Sequence, residues 1–65
     1  MQKYAEALEF LLDKKCAIKI FPPNLLKLNY LVHVDNGERE AHGIHKSWRR
    51  ALCIAKQDFQ NKGEN

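Results

Sequence analysis

The chain has 65 residues, 45% of them hydrophobic, with eleven Lys/Arg against eight Asp/Glu and a net charge of +3. That length holds one domain with a small core, and that apolar share argues against intrinsic disorder. No apolar run is long enough to span a bilayer, there is no signal-peptide pattern, and two cysteines are too few for the disulfide framework of a small secreted protein; a cytoplasmic location is therefore expected.

The charge is unevenly spread. Residues 1–28 carry five cations and three carboxylates, residues 29–43 one and three, and residues 44–65 five and two. The basic excess lies in the two end segments and the middle is acidic.

Residues 3–14 predict a helix. Tyr4, Leu8, Leu11 and Leu12 recur at helical spacing, with Glu6, Glu9 and Asp13 opposite and Phe10 at the core edge or exposed. Lys14 and Lys15 close it, where cations suit the negative end of the dipole. Cys16 to Phe21 predicts a first strand, with Cys16, Ile18 and Ile20 alternating against Ala17, Lys19 and Phe21. Pro22-Pro23 ends it, because proline offers no ladder donor. Asn24 to Leu28 is a connector, unusually apolar for a loop. Tyr30 to Val34 predicts a second strand with Tyr30, Val32 and Val34 on one face. Asp35-Asn36-Gly37 predicts a tight hairpin, since Asn-Gly readily supplies positive φ angles. Arg39 to Ile44 returns as a third strand, supported by the turn more than by its own propensity.

A second helix follows from about Lys46 or Ser47 to Gln60, with Ser47 able to cap it and residues 61–65 expected to fray, like residues 1–2. Each helical residue turns about 100°. Lys46, Arg49, Arg50 and Cys53 therefore share one side, and Trp48, Leu52, Ala55 and Phe59 the other, with Ala51 beside them. Trp48 is better explained as core packing than as a stacking platform. Three cations in the first turns of a helix are unfavourable unless something negative lies against them. They form either a phosphate grip or a solvated face.

His33, His42, His45, Cys16 and Cys53 lack metal-ligand spacing, and no metal or cofactor is expected. A Gly-rich phosphate loop and a cleft-forming carboxylate pair are missing from the sequence, and so short a chain has little room for a deep pocket. Binding is expected rather than catalysis, with neither a small-molecule substrate nor a membrane as partner. Phe10, Phe21, Leu31 and the Leu25-Leu26 loop leave apolar surface for a protein partner or a homodimer, unless the loop folds back over the core.

The order is α-β-β-β-α, and the simplest packing is an α+β domain with both helices on one face of a three-stranded antiparallel sheet. Tyr30-x-Val32-x-Val34, a turn, and Gly43 leading into Lys46, Arg49, Arg50, Ala51 and Ala55 resemble the double-stranded RNA-binding domain. The resemblance is one of pattern and covers most of the chain. It implies RNA contacts by the first helix (Gln2, Lys3, Glu6), the first inter-strand loop (Asn24, Lys27) and the start of the second helix (Lys46, Arg49, Arg50). Such a module reads duplex shape and closes on phosphates between grooves. The Asn-Gly hairpin and the run Gly43 to Ala51 also resemble the three-stranded sheet plus helix of integrase N-terminal and AP2-type domains. That likeness implies DNA contact through Lys19, His33, Arg39 and His42. The functional expectation is a small nucleic-acid-binding module, double-stranded RNA first and DNA second. The main alternative is a small protein-interaction or inhibitor module, phage-encoded or homodimeric.

Overall fold

In a computed structural model describing residues 3–63, the order is α1 (Lys3–Asp13), β1 (Ala17–Phe21), β2 (Tyr30–Asp35), β3 (Glu40–His45) and α2 (Trp48–Gly63). The strands form one antiparallel sheet in the order β1-β2-β3. Both helices pack on one of its faces. The core is Ala7 and Leu11 from α1, Val32, Val34 and Ala41 from the sheet, and Ala51, Leu52, Ala55 and Phe59 from α2, with Cys16 at the edge.

α1 uses a different face from the one the leucines predict. Ala7 and Leu11 are buried, whereas Leu8 and Leu12 are 38% and 58% exposed. Tyr4, Ala7, Phe10 and Leu11 make the contacts, because the aromatic pair Tyr4–Trp48 fixes the roll of α1 against α2. Phe10 is half-buried, with the ammonium groups of Lys14 and Lys56 at 5.6 and 5.3 Å from its ring centre.

α1 ends in a turn that spares the orphan carbonyls. Cys16 N–H donates to Leu11 O at 3.0 Å and Lys15 N–H to Leu12 O at 2.9 Å, with Lys15 in the left-handed region at φ 62°. This is the six-to-one and five-to-two pairing that usually employs glycine. Cys16 belongs to this turn, and the strand starts one residue later than predicted.

The hairpin after β2 is wider than an Asn-Gly two-residue turn. Asp35 pairs with Glu40, which leaves four loop residues between them. Only Gly37 takes a positive φ, at 91°. The Asn36 carboxamide oxygen accepts from Glu38 and Arg39 N–H, and the Asp35 carboxylate from Gly37 N–H. Side-chain acceptors thus fold the loop in place of a primed turn.

β3 lies close beneath α2 because Gly43 has no side chain. A Cβ there would meet Ala51 O, and would stand 2.6 Å from Ala55 N and 2.9 Å from Ile54 Cβ. α2 then runs three residues past Gln60, its expected end. Its C-terminal half is tied to the hairpin and to β3: Arg39 stacks on Phe59 with its guanidinium 4.1 Å from the ring centre and donates to Phe59 O at 2.9 Å. Lys62 donates to Glu40 O at 3.0 Å and pairs with Asp58 at 3.3 Å.

Two substitutions test these points by urea denaturation. Lys15→Gly relieves the left-handed strain and raises stability by about 0.5–1 kcal/mol. Gly43→Ala pushes α2 off the sheet and lowers stability by about 2–3 kcal/mol.

Candidate nucleic-acid interface

The two helices run in parallel. Tyr4 meets Trp48 near both starts, at 5.5 Å between ring centres and 72° between planes, and Phe10 meets Lys56 a few turns on. Both N-termini, with their unpaired N–H groups, therefore open at the same end of the molecule. Tyr30 pairs with His45, so the loop between β1 and β2 leaves the sheet at that end too. Lys3, Lys27, Lys46, Arg49 and Arg50 come from three separate parts of the chain and share this end.

A groove of about 580 Å³ lies there, lined by Lys3, Tyr4, His45, Arg49, Arg50 and Cys53, among others. Arg49 lies over the aromatic pair, its guanidinium 5.0 Å from the Tyr4 ring centre and 5.4 Å from that of Trp48. Stacking holds a planar cation while leaving its N–H edges free for oxygen acceptors. Arg50 and Lys46 are exposed beside it. Among the described residues, the ion pairs are His33–Glu40 and Lys62–Asp58, so none of these five cations has a carboxylate partner.

α2 begins with little side-chain capping help. Ser47 O accepts from Ala51 N–H at 2.9 Å, and the Ser47 N–H donates to His45 Nδ1 at 3.1 Å. Ser47 is the cap residue by position, and His45 orients the turn.

The remaining expected contacts divide. Asn24 organises its own loop: its Oδ1 accepts from Leu26 and Lys27 N–H, both at 2.8 Å, and its N–H donates to Lys27 O at 2.7 Å. Glu6 lies one turn along α1, in the cleft between the helices with Lys56 and Gln57; this cleft adjoins the Arg49 groove through Lys3 and Cys53, but Glu6 does not line the groove itself. Gln2 lies outside the described residues.

The opposite sheet face is open and its rows follow from the register. Lys19, His33 and His42 form the middle row, Ala17, Asp35 and Glu40 one flank, and Phe21, Leu31 and Ile44 the other. Arg39 is not on this face, because its stack on Phe59 turns it toward α2. His33 Nε2 lies 3.9 Å from Glu40. No group of three or more His, Cys, Asp or Glu side chains suited to a metal ion occurs among the described residues. Burial pushes the Cys16 thiol above its usual range; Arg39 opposes the rise and Asp35 adds to it. This thiol stays protonated and packs as a small apolar group.

Sequence reasoning found the cations but not what supports Arg49. Tyr4 sits on another helix, far away along the chain, and no local pattern links the two. It also left open whether the loop leucines cover the core; Leu25 and Leu26 are 100% and 93% exposed.

The stack sets an expected difference between neighbours. Arg49→Ala lowers stability by about 0.5–1 kcal/mol through the lost aromatic contact, whereas Arg50→Ala changes it by less than about 0.5 kcal/mol. Thermal unfolding followed through Trp48 fluorescence reads both.

Searches of protein-family models, of curated proteins and of solved structures each found no match to this chain.

Proposed function

We propose that this chain is a small nucleic-acid-binding module that grips duplex phosphates through Lys46, Arg49 and Arg50. Lys3 and Lys27 assist from the neighbouring elements, and double-stranded RNA is the favoured ligand. The observation that carries the reading is the convergence of both helix N-termini with five cations that lack carboxylate partners among the described residues. Helix N-termini and cations each favour an oxyanion, and a row of such groups suits a backbone more than a single small ligand. Contacts of this kind read shape rather than sequence, and the A-form minor groove with its flanking phosphates is read in that way. The role is binding, without catalysis.

Two alternatives have an observation each. A DNA-reading sheet would use the open row of Lys19, His33 and His42. A protein-interaction module would use the apolar row of Phe21, Leu31 and Ile44, which is a better candidate surface than the cation-flanked Phe10.

Fluorescence anisotropy with labelled RNA and DNA duplexes of about 20 base pairs, longer than the roughly 16 such a reader spans, tests the proposal at two salt concentrations. RNA-selective binding that falls steeply with salt is expected. Arg49→Ala with Arg50→Ala weakens it about tenfold or more at low salt and reduces the logarithmic salt slope by about two. Unchanged binding by the folded double variant refutes the phosphate grip. A preference for DNA moves the site to the sheet face.

A further inference from the structure

The loop between β1 and β2 presents three leucines to water. Leu25 is 100% exposed, Leu26 93% and Leu28 79%. The loop is nevertheless ordered by its own hydrogen bonds: the Asn24 side chain and backbone close it across Leu26 and Lys27, and Pro22-Pro23 stiffens its entry. The result is an apolar tip, whose Leu26 and Lys27 also line a hollow with Phe21 and Leu31. Single exposed leucines need no explanation, but a cluster at the apex of a closed turn does.

The charge around the tip is one-sided. Residues 14–34 contain no Asp or Glu, and neither do residues 41–57. Lys27 stands within the tip, and Lys46, Arg49 and Arg50 share its end of the molecule. The carboxylates Asp35, Glu38, Glu40 and Asp58 gather at the opposite end, around the hairpin and the second half of α2, and Glu6, Glu9 and Asp13 lie along α1.

We infer that the tip Leu25-Leu26-Lys27-Leu28 is a peripheral anchor for an anionic lipid surface. The leucines enter the boundary between headgroups and acyl chains while Lys27 and the start of α2 meet the headgroups. Charge complementarity favours this occupant. A phosphate backbone would satisfy the cations but leave the leucines in water, and an anionic bilayer satisfies both. No described helix is long and apolar enough to cross a membrane, and the sequence expectation of no membrane partner came from the lack of a spanning run. A surface anchor needs no such run. The anchor stands independently of the nucleic-acid reading, although the two share cations.

Flotation of the full chain with phosphatidylcholine vesicles, with and without phosphatidylserine, tests the anchor. Binding to the anionic vesicles alone is expected. Leu25→Ser with Leu26→Ser lowers it about tenfold or more, the order expected for withdrawing two buried leucines. The melting curve stays in place, since these side chains cover no core. The same variant is titrated with labelled duplex, where it keeps its affinity if the phosphate grip is separate; this arm fails or succeeds independently of flotation. Absence of flotation at low salt overturns the anchor. So does equal flotation by the double variant, which would leave only charge. A concentration-dependent dimer abolished by the double variant, without flotation, assigns the leucines to a second copy and overturns it as well.

Discussion

The approach of β3 to α2 at Gly43 is the constraint on which the rest of the arrangement depends. A backbone oxygen, a backbone nitrogen and a side-chain carbon of α2 occupy the space of the missing Cβ. The helix therefore lies flat on β3, its Ala51, Leu52, Ala55 and Phe59 directed into the core. Small residues on one partner and no side chain on the other permit so short a separation. This fixes the rotation of α2, and so the direction in which Arg49 and Arg50 leave the surface.

The same contact settles the edges of the sheet. The outer edge of β3 is occupied by α2: Lys62 bonds Glu40 O and Asp58 makes a long, 3.4 Å contact with His42 N–H. Among the described residues, β1 keeps its outer edge unpaired. It is short, it carries Lys19 at its centre, and Pro22-Pro23 stops it, all features that discourage pairing with another strand. Ile20, on the helix-facing side, remains 45% exposed because α2 covers β2 and β3 rather than β1, and Phe21, 48% exposed, belongs to the open face. The apolar surface of this small domain is thus concentrated at one side and one end.

Charge follows the topology. Parallel helices bring two positive dipole ends together; the cations at the start of α2 add to that potential with no acid in its first turn, whereas α1 sets Glu6 against its own. The acidic hairpin sits beyond the far end of the sheet. Such polarity is paid for in local stability and gives the molecule a defined attractive face. Arg49 is the best-held member of that face, since two aromatic rings define its place.

The sequence by itself determined the element order, the antiparallel sheet, the buried face of α2 and the cations at its start, because each is written in local periodicity or turn chemistry. Tertiary structure decided the rest. Leu8 and Leu12 lost the buried face of α1 to Ala7 and Leu11, since a contact between Tyr4 and Trp48, far apart along the chain, sets the roll of that helix. Arg39 left the open sheet face because Phe59, on another element, offered both a ring and a carbonyl. The loop leucines stayed in water because Asn24 closes the turn before they can reach the core. Periodicity identifies which side chains prefer burial, and only the packing of distant elements determines which of them obtain it.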